Sequence, residues 1–168
     1  MIRAASAFVR LVDKLNYGVG RVAMYILFVL MAILMWSTIS KATGAPSLWT
    51  LEMAQFVMVA YFVLGGPYAM QMGAHVRMDL FYAQQNPVRQ AWWDAITVLA
   101  LIFYLGVMLW GAIDSTAYAL QYNERSPTAW RPYLWPIKVI LCIGFSLMLL
   151  QALAALIRDV ATIRGKTI

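Results

Sequence analysis

The sequence predicts an all-α integral membrane protein with four transmembrane helices, and three observations carry that prediction. The chain of 168 residues is 63% hydrophobic and 12% charged, with a mean hydropathy of +0.71, whereas a soluble domain carries about 25% charged residues. The apolar excess is concentrated in four stretches without Asp, Glu, Lys, Arg or His: residues 22–40, 53–74, 95–113 and 139–157. At ~1.5 Å rise per residue, 19 helical residues reach ~28 Å, which matches the ~30 Å hydrocarbon core of a bilayer. A soluble bundle needs a polar stripe on every helix, and these stretches offer none. Residues 1–168 therefore read as one membrane domain.

Much is excluded by the same arithmetic. Four spans with short connections leave no room for a separate catalytic domain, so no enzyme is expected. The net charge of +6 sits at span ends and in loops, where membrane topology accounts for it better than nucleic acid does. One cysteine, Cys142, permits no internal disulfide, and one histidine excludes an intrachain bis-His haem or a Cys/His metal cluster. No cofactor is expected.

Element by element, the chain opens with an amphipathic segment over residues 1–18. On a helical wheel Arg3, Arg10, Lys14 and Arg21 fall within about 40° of one another, with Phe8, Leu11, Val12 and Leu15 on a separate arc. Such a helix is expected to lie in the headgroup layer, its basic stripe toward anionic lipid. The first span, 22–40, is too long and begins too far in for a cleaved signal core. The second opens near Pro46-Ser47, with Glu52 in its first turns, where a negative charge suits the helix dipole. Gly65, Ala69 and Gly73 form a small-residue ridge fit for close approach of another helix, and Gly65-Gly66-Pro67 is expected to loosen or kink the span.

Asn86-Pro87 supplies cap and first-turn proline for the third span, which is expected to continue past Asp114 toward Tyr122. Pro127, Pro132 and Pro136 among Trp130, Tyr133 and Trp135 suggest a stiff outer cap ahead of the fourth span, in which Gln151 is the conspicuous polar residue.

With the N-terminus inside, the inner segments hold nine Lys and Arg residues and the outer segments four, so both termini are expected in the cytoplasm. Trp36, Trp49, Trp110, Trp130 and Trp135 then mark the outer interface, and Trp92 and Trp93 the inner one. A proton- or cation-coupled carrier acting alone needs an ionisable group within the membrane, and none lies inside the four stretches. Glu52 sits at an edge, and His75, Arg77 and Asp79 form the densest polar cluster, suited to holding the end of span 2 against the following loop or a neighbouring subunit.

Trp49-x-x-Glu52 opening span 2, the glycines at its centre, and Gly73-x-His75-x-Arg77-x-Asp79 closing it resemble the small membrane subunit of tripartite ATP-independent periplasmic (TRAP) transporters. The resemblance extends over essentially the whole chain. Ser126-x-x-x-Trp130-Arg131-Pro132 through Trp135-Pro136-x-Lys138 is similar to a branch associated with mannitol, chloroaromatic or 2-oxo acids. The resemblance implies a bacterial inner-membrane scaffold held against a large multispan subunit on a separate polypeptide. That partner would move an organic acid with a sodium gradient, the cargo being delivered by a periplasmic binding protein. By this analogy Trp49, Glu52, Gly65, Gly73, His75, Arg77 and Asp79 shape span 2 or its subunit contacts and bind no substrate. Two other classes stay open from the residues: a stand-alone homodimeric exporter and an anchor subunit of a respiratory complex.

Overall fold

A computed structural model describes residues 2–73 and 87–163. Four helices account for nearly all of them: α1 (Ile2–Ala42), α2 (Thr50–Gln71), α3 (Pro87–Gln121) and α4 (Trp135–Ile163). All four are long and apolar enough to cross a membrane. The positions 75, 77 and 79 of the polar cluster lie outside the described residues.

The first difference from expectation is in α1. Its 41 residues form one helix, about 61 Å long at the α-helical rise, so the basic segment is continuous with the first span and is not a separate interfacial helix. The reason is packing. Val9 and Val12 are buried against Ala154, with Leu150 and Ile157 of α4 beside them, so one side of the N-terminal apolar face is covered by protein while Leu11 and Leu15 stay exposed. The helix stops in a Schellman turn: Gly44 is left-handed (φ 76°), Ala45 N–H donates to Ser40 C=O and Gly44 N–H to Lys41 C=O.

Inside α2, Pro67 is tolerated and the helix runs unbroken through it. Proline has no N–H for the Val63 carbonyl one turn back. That carbonyl faces α4 at Gly144, where an added Cβ would sit 3.0 Å from the oxygen and still nearer the Val63 side chain. The backbone group released by Pro67 is thus covered by a bare Cα, a close approach that only glycine permits. Gly20 of α1 plays the same part toward α2, since the Tyr68 ring fills the space its Cβ would need.

Proline opens α3 as expected, and the helix runs past Asp114 to Gln121. Asn123 (φ 49°) takes the left-handed position after it, with Glu124 N–H donating to Ala119 C=O. The following loop closes on itself: Arg125 and Tyr133 pair in an isolated antiparallel bridge, Ser126 N–H donates to Pro132 C=O, and Leu134 N–H to Glu124 C=O. Lys138 Nζ then ties α4 to this loop through Glu124 (2.6 Å) and to α3 through the Ser115 carbonyl.

In the resulting bundle α4 touches all three other helices, α1 pairs mainly with α2, and α3 packs essentially on α4 alone. Only 6% of the apolar stretch of α3 is buried, against 28% of that of α4. Phe103 and Trp110 are each 76% exposed.

Candidate functional site

Most of the polar side chains that reach the interior gather in two places, both along α1. Near its N-terminal end, Asn16 is fully buried (0% exposed) and Gln151 of α4 nearly so (1%). Asn16 Nδ2 donates to Gln151 Oε1 at 2.6 Å, and Gln151 Nε2 donates to Asp13 Oδ1 at 3.2 Å. Arg158 completes the chain by pairing with the other Asp13 oxygen. The amide orientations follow from the charges: Asp13 must accept, so Gln151 presents its NH2 there and its oxygen to Asn16. The chain ends in Asn16 Oδ1, a buried acceptor without a donor among the described residues. Asp13 retains some exposure, with 25% of its side chain accessible against 37% for Arg158.

Hydroxyls form the second cluster, at the far end of α1 where it meets the start of α2. Thr50 Oγ1 lies 3.3 Å from Ser37 Oγ and 3.0 Å from Ser47 Oγ, and Ser47 Oγ lies 3.1 Å from Ser40 Oγ. Thr50 is 1% exposed. Between the clusters the helices approach through Gly20–Tyr68, with Tyr17 stacked at a tilt on Tyr68 (5.9 Å). A smaller contact joins α3 to α4 through Thr116 Oγ1 and Cys142 Sγ at 3.3 Å.

Among the described residues, those singled out in the sequence are spread along α2. Trp49 occupies the N-cap position of α2 without a side-chain cap bond, partly exposed. Glu52 follows in the first turn, 8% exposed, with Oε2 buried and unpartnered among the described residues. Gly73 is at the opposite end of α2, left-handed (φ 65°), its N–H donating to Met70 C=O; it terminates the helix. Gly65 lies between them, and a methyl group added to its Cα would meet nothing within 4 Å. Within the chain, the close-approach glycines are instead Gly20, Gly66 and Gly144. His75, Arg77 and Asp79 fall outside the described residues.

Sequence reasoning missed the Asp13–Gln151–Asn16 chain and the Ser/Thr cluster. A signal existed for the first: Val9, Val12, Asn16, Gly20 and Ala23 share one helical face, and an amide on an apolar, small-residue stripe calls for a hydrogen-bonding partner on another helix.

Comparison with known proteins decides what kind of bundle this is. The family model for the DctQ component of tripartite ATP-independent periplasmic transporters matches residues 30–162. The chain belongs to the DctQ family. This DctQ chain is also 32% identical, over 120 residues, to the isethionate TRAP transporter permease protein DctMQ of Oleidesulfovibrio alaskensis. That match covers 68% of the DctQ chain and 18% of the relative, so the chain spans less than a fifth of the length of its relative. Membership makes it a small TRAP permease component and an integral membrane protein, and sets aside the respiratory-anchor and stand-alone exporter readings. Asp13 and Asn16 precede the residues matched by the family model.

Proposed function

We propose that this DctQ chain is the fixed membrane scaffold of a TRAP transporter, holding the large transport subunit while that subunit moves an organic acid with sodium. The carrying observation is how the bundle spends its polar and apolar groups. Asn16, Gln151, Ser37 and Thr50 tie its own helices to one another, and Ser40 bonds Ser47 in the turn between α1 and α2. Meanwhile α1 and α3 turn large apolar side chains outward along their length. Burying those faces at ~25 cal/mol per Å² favours lipid or another helical surface over water. Internally tied, outwardly apolar helices suit an element that stays still against a moving neighbour.

The relative's name joins M and Q components in one permease, which supports a large M-type subunit as the partner. Its isethionate cargo is in keeping with a small organic anion here. Delivery by a periplasmic binding protein, both termini in the cytoplasm and residence in the bacterial inner membrane complete the reading. Trp49, Glu52, Gly65, Gly73, His75, Arg77 and Asp79 are proposed as subunit-contact or helix-end residues. The buried Glu52 Oε2, unpartnered among the described residues, makes Glu52 the strongest of them, because a buried carboxylate oxygen seeks a donor.

Co-expression with the large subunit tests this. A stable one-to-one complex is expected from mild detergent, with sodium-dependent uptake only when both chains and the binding protein are present. Uptake by the small chain alone in proteoliposomes would overturn the scaffold reading. Glu52→Ala is expected to lower complex yield severalfold and leave cargo affinity of the binding protein unchanged.

A further inference from the structure

The depth of α1 in the bundle differs from the depth its charge-free stretch suggests. Gly20 lies against Tyr68 and Ser37 against Thr50. This antiparallel register sets the 53–74 stretch of α2 opposite about residues 14–35 of α1. The α4 contact agrees: Asn16 bonds Gln151, which stands six residues, or ~9 Å, inside the end of the 139–157 stretch. Lys14 therefore stands level with the end of the α2 stretch and ~6 Å inside that of α4, and Arg21 roughly 10–16 Å inside both.

Both cations are exposed, on the side of α1 away from Val9, Val12, Asn16, Gly20 and Ala23. The acid on this part of α1, Asp13, is already held by Arg158 and Gln151. Among the described residues no acidic side chain pairs with Lys14 or Arg21, and Arg21 stands over the face of Tyr17, 5.1 Å from its guanidinium carbon. Between the two cations, four residues after one and three before the other, is Gly18, exposed and with nothing within 4 Å of its missing Cβ. Along the same face toward the bilayer centre run Val22 (62% exposed), Tyr25 (70%) and Val29 (51%).

We propose that Lys14 and Arg21 hold the phosphate of an anionic phospholipid over Gly18, with an acyl chain laid along Val22, Tyr25 and Val29. Long cationic side chains at hydrocarbon depth reach back toward the headgroup layer, and these two stand on one face, two turns apart, on either side of a residue without a side chain. The bare Gly18 backbone admits the headgroup. Charge complementarity selects an anionic lipid over a zwitterionic one, each Lys or Arg near the surface contributing about a fivefold factor. The site depends on membrane embedding and is independent of the transport role.

Native mass spectrometry and thermal melting of the chain, purified with its large subunit, test the proposal. Phosphatidylglycerol is expected to remain bound and to raise the melting temperature, with phosphatidylcholine and inorganic phosphate doing neither. Lys14→Gln combined with Arg21→Gln is expected to weaken phosphatidylglycerol binding at least about tenfold. The charge-preserving pair Lys14→Arg and Arg21→Lys is expected to retain it, which separates binding from folding. Gly18→Leu, whose Cβ meets no neighbour in the fold, is expected to weaken binding with both charges in place. Equal binding of the two lipids, full binding by the double glutamine variant, or crosslinking of Lys14 or Arg21 to an acidic residue of the large subunit would overturn it.

Discussion

The two ends of α1 are fastened by different chemistry. At the N-terminal end it meets α4 through an amide pair backed by an Asp13–Arg158 ion pair. At the other end it meets α2 through the hydroxyls of Ser37, Ser40, Ser47 and Thr50. A hydroxyl rotates to suit its neighbours, whereas an amide has separate donor and acceptor ends. The amide chain therefore holds one register only, its direction set by the carboxylate, while the hydroxyl cluster tolerates small displacements. One end specifies the register and the other cushions the turn into α2.

The largest expected effect comes from breaking the close approach between the two fasteners. Gly20→Leu would drive a side chain into the Tyr68 ring and cost about 3 kcal/mol. It should show as lost complex yield and a lowered melting temperature in fluorescence-detected gel filtration. Gly65→Leu, open within the chain, is the matched control for packing inside the bundle; a loss of large-subunit binding alone would locate the partner at that face.

Next in size is the amide chain. Gln151→Leu leaves Asn16 without its acceptor partner and removes a donor from Asp13, an expected loss of about 1–2 kcal/mol by thermal melting. If the chain specifies register, the double substitution Asn16→Leu with Gln151→Leu should recover stability yet allow more than one α1–α4 crosslinking pattern between engineered cysteines. A single pattern would show that packing alone sets the register. Smallest is Thr50→Val, expected to cost about 0.6 kcal/mol, because the remaining hydroxyls can pair among themselves. An effect equal to that of Gln151→Leu would erase the contrast between the two ends.

Much of the architecture is legible in the residues alone. The four helices, the entry of α3 at Pro87, its run past Asp114 and the family resemblance all follow from charge-free length, proline position and local motifs. The continuity of α1 is not legible there, because a helical wheel shows that a face is apolar and does not show whether lipid or protein covers it. Val9 and Val12 are covered by α4, so the segment stays in line with the span. Gly65 illustrates the same limit from the other side: its spacing with Ala69 and Gly73 suits close packing, and the chain's own helices pack elsewhere.

By itself the sequence determined that this is a membrane protein with four apolar helices, since the cost of placing charge or unpaired backbone in hydrocarbon leaves its mark in composition, and its motifs carried the resemblance to the TRAP small subunit. Tertiary structure decided which residue stands beside which: that Asp13 reaches Gln151 and Arg158, that Gly144 covers the carbonyl released by Pro67, and that Arg21 stands level with the apolar stretches of α2 and α4. Those facts depend on the relative sliding of helices, and sliding is governed by side chains far apart in the chain, which no local pattern encodes.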